Sequence, residues 1–329
     1  MGNQLQPTYP WLKGYRDQLS RYLKQDRLPS ALMLVGDKGL GLSSLAMAFA
    51  QRAVCLSPID DEVACGLCES CLLFNAENYP DFFHLIPEEG KTSIKIEVIR
   101  QLIESLALSN QYTKPRIVII DPAEAMSRSA ANSLLKTLEE PSENTCLILI
   151  AHQQSNIPIT IRSRCQLIVV KDIDLTCAQS WLLNLGCQNA EEYLSLANYA
   201  PLYANDLWQK EALEIRMSLM KDFLALLRGR LDPVSFAEKC ISLKGLPVLK
   251  WIMSWLSDAI KYAHGPLDNQ LMNPELLADL KILIEKLHLR SMHILLDRLS
   301  YLMSLEFNQV NQQLMLEEFA IESYSLTLK

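Results

Sequence analysis

Short apolar runs alternate with segments of helical periodicity over the first half of the chain. Each run has four to six residues, as expected of a buried strand rather than a helix. We predict strands at 32–35, 81–86, 116–121, 146–151 and 166–170, with helices at 45–54, 94–108 and 129–140 between them. Such alternation indicates a parallel sheet that is covered by helices on both faces.

Strand-like patterns end after Asp172, and the remainder of the chain has helical periodicity. Residues 176–207 predict a small helical unit with breaks near Gly186 and Pro201. Long amphipathic helices follow from about Trp208 to the C-terminus. One of them carries an apolar stripe made of Leu276, Leu277, Leu280, Leu283, Ile284 and Leu287. This stripe either belongs to a core or packs against a partner subunit, and the pattern is compatible with both.

A glycine-rich segment between the first strand and its helix has the spacing of a phosphate-binding loop. The pattern is Gly, four residues, Gly, Lys and Ser or Thr, in which backbone N–H groups, the lysine and the hydroxyl bind phosphates and Mg²⁺. Gly36, Gly41 and Ser43 fit, but Leu42 stands where the lysine belongs. A neutral side chain cannot offset the charge of a γ-phosphate. The glycines are also compatible with nothing more than a tight turn.

Four of the nine cysteines are clustered directly after this helix. Cys55, Cys65, Cys68 and Cys71 have the spacing Cys-x9-Cys-x2-Cys-x2-Cys, which suits one tetrahedral Zn²⁺. Four thiolates leave no position for a substrate, so we expect this zinc to be structural. The alternative is four buried, reduced thiols that behave as small apolar side chains. A thiol-bound metal indicates a reducing compartment, hence the cytoplasm.

Length, charge and hydropathy exclude several classes of protein. A chain of 329 residues is expected to form two or three domains. The net charge of -7 argues against a free-standing DNA-binding protein, because such proteins usually carry a basic surplus that neutralises phosphates. We find no apolar run as long as a membrane helix and no basic-then-apolar signal segment, so a membrane protein is not expected.

Several motifs together resemble the AAA+ clamp-loader ATPases. They are the P-loop after a strand, a second strand that ends in Asp121, the phrase Leu-Leu-Lys-Thr-Leu-Glu-Glu-Pro at 134–141 and Ser-Arg-Cys at 163–165. The four-cysteine module narrows the resemblance to bacterial clamp-loader subunits, and the segment 308–314 is similar to their last helix. The resemblance implies an α/β AAA+ P-loop core, a small helical lid domain and an all-α collar domain.

The resemblance also divides the chain and implies its partners. It implies a core over 1–171 with the zinc module at about 55–71, a lid over 172–207 and a collar for oligomerisation over 208–329. The family combines motor (gamma/tau) subunits and a delta subunit that load the sliding clamp on primed DNA, within the DNA polymerase III holoenzyme. We therefore expect these partners and no membrane, and leave open whether the chain is an enzyme by itself.

Carried over residue by residue, the ATPase machinery of the family is largely missing here. The resemblance assigns the phosphate lysine, the acidic pair, the γ-phosphate sensor and the sensor arginine to Leu42, Asp121-Pro122, Ala151 or His152, and 201–204. Asp121 alone retains the expected chemistry. We therefore expect an inactive ATPase site, no productive ATP binding, and no function for the remaining Gly36, Gly41 and Ser43.

One catalytic position of the family is retained. In the family the Ser-Arg-Cys loop projects its arginine into the ATP site of the neighbouring subunit, and the resemblance assigns this trans arginine finger to Arg164. A guanidinium stays charged and has planar donors suited to γ-phosphoryl oxygens. The alternative is one more solvated arginine beside Arg162.

We therefore predict a non-hydrolysing stator subunit of the bacterial sliding-clamp loader. An active motor ATPase is the first alternative, and Leu42 and Pro122 argue against it. Another P-loop enzyme, such as a small-molecule kinase, would need a substrate pocket that the helical C-terminal third does not suggest. A zinc-containing nucleic-acid-binding protein would need positive charge near the cysteines, and residues 65–71 have little of it.

Overall fold

The computed structural model describes residues 8–88, 90–108, 112–265, 271–304 and 312–327. The chain divides into two compact units, Met1–Asp206 and Leu207–Lys329. Within its described residues, the first unit contains a parallel five-stranded sheet in the order β2-β3-β4-β1-β5. The strands are β1 (Ala31–Val35), β2 (Phe82–Leu85), β3 (Arg116–Ile120), β4 (Thr145–Ala151) and β5 (Gln166–Val169). The predicted α/β class is confirmed.

The inner strands are apolar because both faces of the sheet are covered. Every residue of β1, β3 and β4 is buried, whereas the edge strand β5 is exposed at all positions except Ile168. Met33, Val118 and Leu149 of three adjacent strands share one core with Leu134 from the helix that precedes β4. The sheet is therefore a rigid base for the loops at its carboxyl edge.

The first unit contains α1 (Lys13–Lys24), α2 (Leu42–Val54), α3 (Glu69–Asn75), α4 (Ile96–Leu106), α5 (Arg128–Glu139), α6 (Ile159–Arg162), α7 (Leu175–Asn184) and α8 (Ala190–Leu196), and α9 (Pro201–Gln209) begins in it. Three of these helices, α1, α3 and α6, were not predicted, and the others occupy predicted segments with shifted ends. α2 begins at Leu42 rather than at 45. α4 begins after Ile94, because the carbonyl of Ile94 accepts from the N–H of Ser127 at 3.0 Å and is not available for an intrahelical hydrogen bond.

A buried ion pair closes the end of α4. Arg116 and Asp81 are 3% and 1% exposed, and the guanidinium lies 3.1 Å from the carboxylate. Nη1 of Arg116 also donates to the carbonyls of Leu106 and Leu108 at 3.1 and 3.2 Å. The arginine thereby satisfies carbonyl groups that the helix end leaves without intrahelical partners.

The second unit is helical throughout its described residues. Its helices are α10 (Ala212–Leu227), α11 (Pro233–Ser242), α12 (Val248–Ala263), α13 (Leu277–Lys286), α14 (Leu289–Ser304) and α15 (Gln312–Ser325). Phe223 packs at the centre, with its ring 5.8 Å from Phe236 and 6.5 Å from both Trp255 and Phe319. Four members of the predicted stripe are buried: Leu276, Leu280, Leu283 and Leu287. The stripe therefore belongs to this core.

Two sequence-based expectations stay predictions. Residues 308–311 of the segment that resembles the family's last helix lie outside the described residues, and α15 begins directly after them at Gln312. The division between core and lid at 171 and 172 falls inside the first unit and stays a prediction. No helix in the described ranges combines the length and apolar character needed to span a membrane.

Candidate functional site

The P-loop has the strand-loop-helix geometry that its sequence predicts. It leaves β1 after Val35 and enters α2 at Leu42. Gly39 and Gly41 both have φ of +94°, a backbone conformation that residues other than glycine rarely adopt. A Cβ on Gly36 would lie 2.7 Å from the carbonyl oxygen of Val170, which explains the third glycine. The loop therefore passes close to the backbone that follows β5.

The P-loop is covered by other parts of the first unit. The N–H of Leu202 donates to the carbonyl of Gly39 at 2.9 Å, and a Cβ on Gly39 would lie 2.6 Å from Cβ of Tyr203. The indole N–H of Trp11 donates to the carbonyl of Leu40 at 2.9 Å. The neighbouring carbonyls of Gly39 and Leu40 are thus both hydrogen-bonded within the chain.

Aromatic rings surround these contacts. The rings of Tyr9 and Trp11 stack at 4.9 Å, and Trp181 of α7 meets both of them edge-on, at 5.9 and 5.2 Å. A Cβ on Gly41 would lie 2.9 Å from Cδ2 of Tyr9. We call Tyr9, Trp11, Trp181 and Tyr203 the aromatic cover of the P-loop.

The polar remnants of the site are engaged with one another. Leu42, at the lysine position, is 2% exposed and contributes to the core. The hydroxyl of Ser43 donates to the carboxylate of Asp121, so the two groups that bind Mg²⁺ in a working P-loop enzyme pair together. Nδ1 of His152 lies 3.0 Å from the carbonyl oxygen of Gly36.

Burial and hydrogen bonding also fix the residues around His152. The N–H of His152 donates to Oε1 of Glu124 at 2.9 Å. The carbonyl and carboxylate partners of His152 thus come from the P-loop and from the segment after β3.

The four clustered cysteines converge on one point. All four Sγ atoms lie within 4.8 Å of one another, and the pairs Cys55–Cys65, Cys55–Cys68 and Cys65–Cys71 are 3.6, 3.9 and 4.0 Å apart. A disulfide would need about 2.05 Å. Thiolates at about 2.3 Å from a tetrahedral Zn²⁺ would be about 3.8 Å apart. The cluster therefore has the dimensions of a four-thiolate metal site.

Backbone N–H groups stabilise sulfur charge in this cluster. The N–H groups of Cys68 and Leu67 point at Sγ of Cys65 at 3.2 and 3.5 Å, and these hydrogen bonds lower the pKa of Cys65 to about 6. The N–H of Cys65 similarly donates to Sγ of Cys55 at 3.3 Å. Such outer contacts orient metal ligands in thiolate sites. The four cysteines could hold a metal ion.

The Ser-Arg-Cys loop follows α6 and leads into β5. Ser163 and Arg164 are exposed at this turn, while Cys165 packs partly against the core, where burial raises its pKa to about 12. Nη1 of Arg164 donates to the carbonyl of Thr160 at 2.7 Å, and Nη2 pairs with the carboxylate of Glu139 at the end of α5. The loop thus presents a guanidinium at the surface of the first unit.

Comparison with known proteins identifies the family. Residues 13–174 match the family described as "DNA polymerase III, delta subunit", and residues 210–323 match "DNA polymerase III, delta subunit, C terminal". Over 266 residues the chain is 35% identical to DNA polymerase III subunit delta' of Yersinia pestis, covering 78% of this chain and 77% of that one. The chain belongs to the DNA polymerase III delta' family.

Two further relatives are similar to this chain, one of them a different type of subunit. DNA polymerase III subunit delta' of Pseudomonas aeruginosa is 33% identical over 259 residues, which are 77% of each chain. DNA polymerase III subunit tau/gamma of Haemophilus influenzae is 32% identical over 170 residues, 52% of this chain and 24% of that one. About half of this chain is therefore similar to a second type of DNA polymerase III subunit.

The structure groups the residues predicted for the site into three places. Gly36, Gly41 and Ser43 lie together at the P-loop with Asp121, and the four cysteines lie together after α2. Arg164 stands apart from both, in the loop between α6 and β5. Each group consists of residues that the sequence motifs identify.

The sequence missed the residues that cover the P-loop and the partner of Arg164. Tyr203 was noted only as part of a segment without arginine, and Glu139 only as part of a phrase. No local pattern connects Trp11 with Leu40, or Glu139 with Arg164, because these contacts join segments far apart in the chain.

Proposed function

We propose that this delta'-family chain is the non-hydrolysing stator of a bacterial sliding-clamp loader. It would assemble with ATPase motor subunits, contribute no ATP turnover of its own and supply Arg164 to the ATP site of its neighbour. The observation that carries the first part is the P-loop, where the lysine is replaced by a buried leucine and the loop is held by Leu202 and Trp11.

The charge balance at the P-loop argues against hydrolysis. Phosphoryl transfer needs cations on the β- and γ-phosphates and a positioned acceptor for the attacking water. Leu42 supplies no cation, and Pro122 supplies no carboxylate beside Asp121. Gly36, Gly41 and Ser43 keep the shape of the loop, but the N–H groups of Gly36 and Leu40 donate to carbonyls of the chain itself, at 3.1 and 3.2 Å. Productive ATP binding is therefore not expected.

The role of Arg164 rests on its exposure and on the family resemblance of its loop. Its side chain is 33% exposed, and its guanidinium has five N–H donors for the three acceptors that it contacts in the chain. An arginine supplied in trans stabilises charge on γ-phosphoryl oxygens and raises the rate by about 10³–10⁵. Arg164 would act in this way on a nucleotide held by an adjacent motor subunit.

Zinc is the metal that best fits the cysteine cluster. Four thiolates at tetrahedral spacing, with N–H groups aimed at the sulfurs, match a closed structural site. Zn²⁺ at Cys55, Cys65, Cys68 and Cys71 would cross-link the end of α2 to the start of α3. It would stabilise the first unit and take no part in phosphate chemistry.

The proposed partners follow from the family. The motor (gamma/tau) and delta subunits, the sliding clamp and primed DNA would meet this chain within one assembly of the DNA polymerase III holoenzyme in the cytoplasm. Within that assembly, residues 1–171 would be the AAA+ core, 172–207 the lid and 208–329 the collar. The net charge of -7 fits a chain that contacts DNA only together with other subunits.

The test is to separate turnover from assembly. The purified full-length chain is assayed for ATP binding and hydrolysis, then mixed with motor and delta subunits and examined by size-exclusion chromatography. We expect no turnover by the chain alone, a stoichiometric complex, and DNA-stimulated hydrolysis only in that complex. Turnover by the chain alone that is lost on Ser43→Ala would instead favour a motor ATPase.

A further inference from the structure

The guanidinium of Arg164 is turned back onto its own chain. Nη2 forms an ion pair with the carboxylate of Glu139, and Nη1 donates to the carbonyl of Thr160 at 2.7 Å. Glu139 is the last residue of α5, and Thr160 lies in α6. The Arg164 and Glu139 side chains are 33% and 51% exposed, so other ions can reach the pair.

We propose that Glu139 restrains Arg164 until a nucleotide in the adjacent subunit competes for the guanidinium. Glu139 would be a positioning residue that acts through Arg164 and touches no substrate. The proposal rests on the proposed function, because it presupposes that Arg164 is an arginine finger. It adds a regulatory residue on the same chain. This residue would keep ATP hydrolysis by the complex low until the two subunits are aligned.

The Glu139 carboxylate and a nucleotide phosphate compete for Arg164 because both are anions. A carboxylate beside Nη2 cancels much of the positive potential that Arg164 presents outward, and it repels an approaching phosphate. Carboxylate and phosphate also use the same planar donors of a guanidinium. Full stabilisation of the γ-phosphoryl oxygens therefore requires Nη2 to leave Glu139.

The restraint is weak enough to be released. Ion pairs on an exposed surface contribute little, because water and salt screen them. A Mg²⁺-bound triphosphate carries more charge than one carboxylate, so a correctly placed nucleotide outcompetes Glu139. A poorly placed one does not, which couples hydrolysis to the alignment of the two subunits.

Glu140 provides a matched control. It is the next residue, it is exposed, and its conversion to glutamine changes the charge as much as Glu139→Gln does. Its backbone N–H donates to the carbonyl of Lys136 at 2.9 Å, which a side-chain change leaves intact. Within the described residues no hydrogen bond or ion pair joins its carboxylate to Arg164.

The experiment measures ATP hydrolysis by the complex reconstituted from the full chain and its motor and delta subunits. Glu139→Gln should raise the rate in the absence of DNA about two- to fivefold, the range expected from loss of a surface ion pair. Glu140→Gln should leave it unchanged. Arg164→Ala should lower it, and adding Glu139→Gln to Arg164→Ala should change nothing further.

Each outcome separates this proposal from the finger assignment. If Arg164→Ala slows hydrolysis but Glu139→Gln fails to raise it, the restraint is wrong and the finger stands. If Arg164→Ala has no effect, the finger is wrong and the restraint falls with it. A merely structural role for Glu139 would lower the rate, so a faster Glu139→Gln complex with an unchanged melting temperature supports the restraint.

Discussion

The P-loop and the Ser-Arg-Cys loop offer opposite surfaces to a phosphate. At the P-loop, Leu42 is neutral and 2% exposed, and the carbonyls of Gly39 and Leu40 are bonded within the chain. At the Ser-Arg-Cys loop, Arg164 is charged and one third exposed, and it is bonded to a carboxylate, a carbonyl and a hydroxyl. The first loop offers a buried apolar side chain, and the second offers an exposed cation.

Under the proposed function, this difference means that the two halves of an ATP site are lost independently. One chain would supply the P-loop and its neighbour would supply the arginine. A chain without P-loop chemistry would remove one site, while the site beside it would still need Arg164. The aromatic cover would stabilise the loop that is no longer used, because the rings of Trp11 and Trp181 meet edge-on at 5.2 Å beside it.

The largest expected effect comes from removing the exposed cation. Arg164→Ala in the reconstituted complex should slow DNA-stimulated hydrolysis at the neighbouring site by about 10³-fold or more, the effect typical of losing an arginine that stabilises γ-phosphoryl charge in trans. Single-turnover hydrolysis at that site is the measurement. The melting temperature of the chain should not change, since surface substitutions usually alter stability by less than about 0.5 kcal/mol.

Arg164→Lys is the control for charge alone. Lysine keeps the positive charge but has no planar fork of donors, so hydrolysis should recover only in part. Full recovery would mean that any cation suffices. Unchanged hydrolysis in Arg164→Ala would remove the contrast between the two loops.

Removing the metal should affect stability and leave the P-loop closed. Cys71→Ser or a chelator should lower the melting temperature by at least about 5 °C, since 1 kcal/mol corresponds to about 2–4 °C in a unit of this size. Metal content per chain is measured together with the melting curve. Cys177→Ser, at a cysteine outside the cluster, should retain the metal. Equal stability with and without chelator would exclude a structural metal.

A second arginine shows what a purely structural cation does. Arg116→Ala leaves the buried Asp81 carboxylate without its guanidinium and should cost about 3–5 kcal/mol of unfolding free energy. Denaturant unfolding measures the loss. Arg100→Ala, an exposed arginine on α4, is the control and should cost less than about 0.5 kcal/mol. If Arg116 and Arg164 proved equally dispensable for stability, burial would not separate their roles.

Periodicity and motifs predicted most of this fold. All five strands and the longer helices α2, α4 and α5 between them were expected, because runs such as Arg116–Ile120 are buried on both faces and leave a clear signal. The short helices α3 and α6 were not, because one turn or two give too little periodicity. The glycines of the P-loop and the convergence of the cysteines were also expected. The aromatic cover was not, because the contact between Gly39 and Tyr203 depends on how α9 packs. Helix ends shifted where tertiary hydrogen bonds, as at Ile94, override local preference.

Glycine substitutions test how tightly the P-loop is covered. Gly39→Ala would place a Cβ 2.6 Å from Tyr203 in a backbone with φ of +94°, so both overpacking and backbone strain destabilise it, by about 2–4 kcal/mol. Gly90→Ala, with φ of +75° and no described atom within 4 Å of the new Cβ, isolates the strain and should cost about 1–2 kcal/mol. Unfolding free energies of the two variants give the contribution of the cover by difference. Equal losses of unfolding free energy would mean that Tyr203 moves aside without cost.

The smallest expected effect is the one that most sharpens the comparison. Leu42→Lys restores the residue type that a working P-loop has, yet we expect no ATP turnover by the isolated chain. The lysine would still lack a carboxylate at Pro122, and Leu202 and Trp11 would still hold the loop. ATP binding and phosphate release are measured beside the unchanged chain. Turnover in Leu42→Lys that disappears on Ser43→Ala would show that one cation was all the site had lost, and the closed P-loop would then not separate this chain from a motor subunit.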